Sequence, residues 1–250
     1  TVDETLIQTN DISNVLITSD SGCILKFDGS VYTWGYPQYG GNMHDSTYGA
    51  RGGDSSTVNP SLLSSGVKNI YIQRAYSSAR GFIAHKTDGS LVCWGNTYMN
   101  PHHSSSGVKK ATFYNDSAIY PEEISSGIEK VFFSYHAQAA IKTDGSVITW
   151  GHGSYGGNIC STGSGVRDLN SATVNPSVLG PNCGVKNIIH NYYTFLALKE
   201  DGSIHSVWGH SSYGGDFHHS GYGARRGDSS SVNVEALKGK VKQIVRGKSV

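Results

Sequence analysis

Lys142-Thr143-Asp144-Gly145-Ser146-Val147-Ile148-Thr149-Trp150-Gly151 reads as two short strands joined at an Asp-Gly turn and closed by Trp-Gly. The chain of 250 residues writes this stretch four times. The other copies run from Lys26 to Gly35, Lys86 to Gly95 and Lys199 to Gly209, which places the turn glycines at Gly29, Gly89, Gly145 and Gly202. Asp-Gly between apolar runs is a strong hairpin signal, because a two-residue type I′ turn needs positive φ at both positions. The spacing therefore predicts one hairpin per copy, and the recurrence predicts a repeat architecture.

Apolar residues flank every turn on both faces, with Ile24-Leu25, Ile83-Ala84, Ala140-Ile141 and Phe195 to Leu198 before it and Val31 to Trp34 and its counterparts after it. A strand that is apolar on both sides has to be covered on both sides, which face-to-face stacking of small sheets provides. The chain's four tryptophans, Trp34, Trp94, Trp150 and Trp208, all fall at the same repeat position and read as structural. Burying such a ring removes about 150–250 Å² from water, roughly 4–6 kcal/mol of gross stabilisation per repeat. Trp208 lies one residue further from its turn glycine than the other three. A β-bulge is expected around His205-Ser206, since an uncompensated insertion would turn Trp208 to the other face.

A further strand precedes each hairpin, at Asn14 to Ile17, around Ile70 to Ile72, at Lys130 to Phe133 and at Asn187 to His190. After Trp-Gly come Tyr39-Gly40-Gly41, Tyr155-Gly156-Gly157 and Tyr213-Gly214-Gly215, with Asn96 to Pro101 in the second copy, and then long insertions. Such insertions usually project from one rim of a repeat protein. The expected organisation is a single domain over 1–250 with blades at about 14–64, 65–126, 127–182 and 183–240. Lys242 to Arg246 aligns with Lys186 to His190, so residues 241–250 either start a fifth copy in a longer array of blades or close a four-bladed ring.

Composition excludes several classes. Twenty Lys and Arg against 19 Asp and Glu leave a net charge of +1, so no long-range field steers the chain toward nucleic acid or an anionic membrane. No apolar run reaches the ~18 residues that a spanning helix needs. Thirty-two glycines with only 6 prolines and 15 tyrosines suit tight turns between short strands. The chain starts at Thr1 without a Met, and Cys160 and Cys183 bracket one insertion that a disulfide would close. These two features favour a secreted or lumenal compartment. Asn115-Asp116-Ser117 is a formal glycosylation sequon that matters only there.

At Leu198 to Ser203, Trp208-Gly209 and Tyr213 to Gly215, the chain resembles the repeats of the regulator of chromosome condensation family, which carry an Asp-Gly turn, a Val-x-x-Trp-Gly strand and an aromatic-Gly loop. The resemblance covers roughly residues 14–250 and implies an all-β fold, a β-propeller of four visible blades with a protein-binding face. The loop here reads Tyr-Gly-Gly-Asn/Asp, and nothing matches the interaction wedge of the family's nuclear exchange factor, so exchange activity is not carried over.

Eleven histidines invite a metal reading, but His102-His103 and His218-His219 are adjacent pairs that a strand would turn to opposite faces. His152 and His210 each follow Trp-Gly and approach one another only if their blades are neighbours. No metal or cofactor is expected, and with no nucleophile elbow, phosphate loop or His-Glu-x-x-His no enzyme is expected either. Tyr48, Arg51, Tyr222 and Arg225 stand in duplicated Tyr-Gly-Ala-Arg loops, and Tyr and Arg are the residue types enriched at binding hot spots. Arg226-Gly227-Asp228 is an integrin-type tripeptide whose Gly-Asp reads first as a turn. The leading expectation is a non-enzymatic scaffold and assembly subunit that binds a protein partner, with neither nucleic acid nor membrane insertion. The alternative is a secreted carbohydrate- or ligand-binding module that uses Tyr39, Tyr155 and Tyr213 as stacking platforms.

Overall fold

The hairpins form where the Asp-Gly pairs place them, and each is flanked by the expected outer strand. The computed structural model describes residues 11–75, 78–95, 100–103, 106–111, 118–227 and 230–245. The Asn115 sequon, Asp228 of the tripeptide, Asn96 to Met99 and Arg246 lie outside the described residues. The first sheet holds β1 (Ile12–Ile17), β2 (Ser21–Lys26) and β3 (Val31–Gly35), in that order. The second holds β4 (Arg51–Gly52), β5 (Val67–Ala75), β6 (Ser78–Lys86) and β7 (Leu91–Gly95), in the order β4-β7-β6-β5. The third consists of β8 (Ile128–Phe133), β9 (Ala137–Lys142) and β10 (Val147–Gly151), in the order β10-β9-β8. The fourth contains β11 (Arg167–Asp168), β12 (Val185–His190), β13 (Thr194–Lys199) and β14 (Ile204–Gly209), in the order β11-β14-β13-β12. The result is an all-β chain of four antiparallel sheets, propeller-type in its units, with only short 3-10 turns besides strands among the described residues.

The turns differ from the expected type I′ form. Gly29 donates its N–H to Lys26 O at 3.0 Å, and Lys26 donates to Ser30 O at 2.9 Å. Gly29 has φ +80°, whereas Asp28 is not among the positive-φ residues. This is a type I turn closed by a left-handed glycine, the bulged hairpin loop. The serine that follows explains the choice: Asp28 Oδ1 accepts from Ser30 N–H at 2.9 Å and from Ser30 Oγ at 2.6 Å. Asp88, Asp144 and Asp201 repeat both bonds with Ser90, Ser146 and Ser203. A short side chain bonded two residues ahead stabilises this turn locally.

The bulge falls where the extra residue of the fourth repeat demands it: Ala197 pairs with Ser206 and Leu198 with Ile204, leaving His205 unpaired. Trp208 therefore keeps the register of Trp94, opposite Phe195 as Trp94 is opposite Phe82.

The long insertions do more than project. Three of them contribute an edge pairing to the hairpin that follows in the chain. Arg51 and Gly52 pair with Cys93 and Val92, Lys109 bridges Thr149, and Arg167 and Asp168 pair with Val207 and Ser206. The partner is in every case the residue just before the tryptophan.

The chain folds as two compact units, Thr1–His103 with Pro121–Ile128, and Ser104–Tyr120 with Glu129–Val250. Each unit contains two sheets and its own core, and the two cores are built alike. In the first, Cys23, Leu25, Val31, Met43, Ala50 and Leu63 meet Phe82, Ala84 and Trp94. In the second, Ala139, Ile141, Val147, Ile159, Val166 and Leu179 meet Phe195, Ala197 and Trp208.

Trp94, Trp150 and Trp208 are fully buried. Trp34 is only half-buried, laid over Gly22, where a Cβ would stand 2.0 Å from its ring. Trp94 donates its indole N–H to Gly40 O at 3.0 Å and Trp208 to Gly156 O at 3.1 Å, so the Tyr-Gly-Gly loop of one sheet is tied to the tryptophan of the next. Gly40 and Gly156 sit at φ +87° and +93°. Side chains would be strained there, and a Cβ on Gly156 would meet the Phe195 and Trp208 rings at 2.8 and 2.9 Å.

The disulfide expected between Cys160 and Cys183 is not formed. All four cysteines are free. Cys183 directs its Sγ to Gly145 O at 3.0 Å, while Cys160 is buried in the core of the second unit. Of the expected fifth copy, the described residues contain one bridge, Lys240 to Ser203, and Lys242 to Val245 form no strand.

Candidate functional site

Three kinds of local structure converge at one end of the two sheets of the second unit. The turns β8 to β9 and β12 to β13 carry Tyr135-His136 and Tyr192-Tyr193. The residues just after Trp-Gly are His152 and His210, and the 3-10 turns Gly153–Tyr155 and Ser211–Tyr213 carry Tyr155 and Tyr213. A left-handed Gly156 or Gly214 closes each 3-10 turn, and this fixes where the tyrosine before it points.

The eight rings form one continuous band. Tyr155 lies at its centre, 4.3 Å from His136, 4.8 Å from His152, 5.5 Å from Tyr193 and 5.8 Å from His210. Tyr193 stacks on Tyr213 at 4.2 Å, and Tyr135 meets Tyr192 edge-on at 5.2 Å. These separations are those of favourable aromatic pairs, so the band is pre-organised. His136 is 5 % exposed at its base, while Tyr192 and Tyr213 are 45 % and 54 % exposed at its rim.

Burial, helped by the neighbouring His152, pushes His136 down to about 4, and burial lowers His152 also. Both rings are therefore neutral near pH 7. His152 Nδ1 accepts from Ser154 N–H at 3.3 Å. His210 Nδ1 is buried and bonds to nothing in the described structure. Among the described residues no three His, Cys, Asp or Glu side chains are grouped as a metal would need. The site offers aromatic faces, phenol hydroxyls and imidazoles, groups suited to contact and hydrogen bonding.

The structure brings Tyr155 and Tyr213 of the sequence-predicted residues into this band, with His152 and His210. Tyr39 occupies the matching 3-10 turn Pro37–Tyr39 of the first unit, half-buried, with its carbonyl accepting from Ser21 Oγ at 2.6 Å. Tyr48, Arg51, Tyr222 and Arg225 stand in the insertions. Arg51 spends its guanidinium on the carbonyls of Ser46, Thr47 and Ser56. Arg225 holds those of Ser220, Gly221 and Ser230 in the same way. Arg167, at the same position of the third insertion, clamps Thr162 and Ala172 and pairs with buried Asp216 at 3.3 Å. These arginines shape their own loops, which leaves Tyr222, 59 % exposed, and Arg226 as the groups the last insertion presents.

The adjacent histidines 218 and 219 are structural too: His218 reaches Asp168 O at 3.0 Å, and His219 Nδ1 accepts from Gly221 and Tyr222 N–H. Sequence reasoning missed Tyr135, His136, Tyr192 and Tyr193. Their signal was an aromatic at equivalent turns of consecutive repeats.

Fold and surface together define an all-β repeat protein whose unit, an Asp-Gly hairpin closed by Trp-Gly and followed in three copies by an aromatic-Gly-Gly loop, resembles the RCC1 repeat. No family model matches the chain, and no curated protein matches it. Among solved structures it is similar to human WBSCR16, at 20% identity over 79% of this chain and 47% of that one, with a TM-score of 0.38. It is similar also to yeast RCC1 (Prp20) in its complex with Kap60, at 17% identity, 78% and 41% coverage and TM-score 0.40. The ectodomain of the Physcomitrella patens receptor kinase CR4 follows at 12% identity, 80% and 39% coverage and TM-score 0.36. The chain spans less than half the length of each of these three.

Proposed function

We propose that this chain is a non-enzymatic protein-interaction module, a scaffold subunit of a larger assembly. Its principal contact surface is the aromatic band of the second unit, and the exposed Tyr222 and Arg226 of the last insertion are a second contact. The observation that carries this reading is the continuity of the band: rings from four separate turns pack against one another into one surface whose rim tyrosines face solvent. Tyrosine supplies large contact area with few rotatable bonds and a polar tip, which suits a protein-binding hot spot. Among the described residues no helix is long and apolar enough to cross a membrane. Of the similar structures, yeast Prp20 is described with Kap60 bound and with binding to Gsp1p and histones. The present reading rests on the band itself.

The test is quantitative recovery of partners from native extract by the wild type, by the pair Tyr192→Ser with Tyr213→Ser, and by the pair Tyr222→Ser with Arg226→Ser. Recovery is expected to fall most with the first pair, at unchanged circular dichroism. Equal recovery by all three proteins refutes the surface. Carbohydrate binding is the second reading, favoured by the exposure of the Tyr192 and Tyr213 rings. Tyr155, covered by His136 and Tyr193, has less free ring for stacking than that reading first assumed. A glycan array without a binder removes it.

A further inference from the structure

The fourth repeat departs from the others in length at two places, and both departures line one cleft. After the 3-10 turns Pro60–Leu63 and Pro121–Ile124, the lead into the next outer strand reads Ser64-Ser65-Gly66 and Ser125-Ser126-Gly127. After Pro176–Leu179 it reads Gly180-Pro181-Asn182-Cys183-Gly184, two residues more. The extension turns through Asn182 at φ +60°, the one non-glycine residue with left-handed backbone among the described residues. It docks on the preceding Asp-Gly turn, where Asn182 N–H donates to Asp144 O at 2.8 Å and Cys183 Sγ to Gly145 O at 3.0 Å. The second departure is the bulge, which leaves His205 unpaired between Ile204 and Ser206. Bulges re-aim side chains beside functional sites.

Pro181 and Cys183 of the extension and His205 of the bulge line an open cleft of about 480 Å³, together with Asp168, Val178 and Lys199. The cleft lies within the second unit, at the opposite end of β13 from the aromatic band.

The extension also changes the fate of a lysine. Lys86 Nζ donates to Leu62 O at 2.9 Å. Val67 pairs with Lys86 and Val185 with Lys199, so Lys199 holds the same place in the fourth sheet, and Val178 O is the counterpart acceptor. Its amine nevertheless bonds to no group among the described residues, and Lys199 is exposed where Lys26, Lys86 and Lys142 are half-buried. Asp168 is half-buried and forms no ion pair among the described residues; its Oδ1 accepts from Asn170 N–H at 2.8 Å. Burial lowers His205, Lys199 lowers it further and Asp168 opposes them, so both charges lie near the imidazole. Lys238, the third charge on the cleft, is held by Glu235 at 2.6 Å. The cleft thus presents one cation and one anion that do not pair with each other, beside the hydroxyls of Ser177 and Ser203. Small-molecule sites are clefts of this size in which a few polar groups fix orientation.

We infer that this cleft binds a small zwitterion, a molecule with a carboxylate for Lys199 and an ammonium group for Asp168. The site is separate from the protein-contact surface proposed above and stands or falls without it.

The experiment is NMR titration of the full chain with glycine, β-alanine, γ-aminobutyrate and ε-aminocaproate, which hold the two charges progressively further apart. Butyrate and butylammonium carry one charge each. At least one zwitterion is expected to shift the amides of Lys199, Asp168 and His205 saturably, to leave that of Lys86 unmoved, and to bind about tenfold or more tightly than either single-charge compound. Lys199→Met and Asp168→Asn are each expected to weaken it by about tenfold or more at an unchanged unfolding midpoint. Deleting Pro181 and Asn182 restores the shorter spacing and is expected to abolish binding; if that protein fails to fold, the two substitutions decide. No saturable shift with any zwitterion overturns the inference. Butyrate binding as tightly as the best zwitterion makes the cleft a plain anion site and overturns it too, as does binding that survives both substitutions or the deletion in a folded protein.

Discussion

Alanine placed in turn at Gly40, Gly156 and Gly214 separates backbone strain from steric conflict within one molecule. All three glycines close the same Tyr-Gly-Gly turn, at φ +87°, +93° and +90°. Each substitution therefore meets the left-handed penalty of about 1 kcal/mol. The neighbours differ. A Cβ on Gly40 would stand 2.7 Å from the Phe82 ring, and one on Gly156 would stand 2.8 Å from Phe195 and 2.9 Å from Trp208, whereas Gly214 has open space. Those rings are fully buried, so relief requires moving the loop. That overpacking adds about 1–3 kcal/mol. Moving the loop also stretches the indole bonds to Gly40 O and Gly156 O, 3.0 and 3.1 Å long, and exposes a buried N–H to loss of its acceptor. The expected destabilisation is about 2–4 kcal/mol for Gly40→Ala and Gly156→Ala, against about 1 kcal/mol for Gly214→Ala. Urea unfolding followed by tryptophan fluorescence measures it. Three equal losses refute the claim that these loops are docked on the aromatic pair of the next sheet.

Acidification is expected to destabilise the second unit through His136. Its folded value of about 4 lies below the ordinary 6.5, so the unfolded chain binds the proton more tightly between those values. The stabilisation is complete above pH 6.5 and declines as pH falls toward 4, by about 1–3 kcal/mol. Urea midpoints compared at pH 7 and pH 5 for wild type and His136→Phe test this, and an equal pH dependence in both proteins contradicts it. Thiol alkylation gives an independent check on the cysteines. Burial pushes the Cys23 and Cys93 thiols up, leaving half-buried Cys183 the first to react in the folded protein. Mass spectrometry is expected to count four labels after unfolding without reductant; two fewer would mean that Cys160 and Cys183 are bridged after all.

Much of the architecture was legible because it depends on neighbours in the chain. Asp28-Gly29-Ser30 and its three counterparts bend the backbone through bonds that span two residues, and runs that are apolar on both faces mark strands covered on both sides. The bulge at His205 followed from counting, since one extra residue before Trp208 must be absorbed somewhere. The type of turn was misjudged for a local reason as well: the serine hydroxyl holds the aspartate in a type I geometry that the Asp-Gly pair alone does not specify.

The aromatic band was only half visible. Tyr155, Tyr213, His152 and His210 stood out as repeated positions, but Tyr135, His136, Tyr192 and Tyr193 come from turns of other strands and join the band only when β8 to β10 and β12 to β14 lie side by side. Arg51 and Arg225 looked available for binding because a sequence does not record which carbonyls a guanidinium will meet. The edge pairing of Arg51, Lys109 and Arg167 was hidden in the same way.

Sequence alone determined the number of hairpins, the face of each tryptophan and the place of the bulge, since these arise from bonds and periodicity within a few residues. Tertiary structure decided which insertion pairs with which hairpin and which rings share a surface. Those depend on backbone and ring contacts between segments distant in the chain, where a difference of a few ångströms separates a paired group from an exposed one.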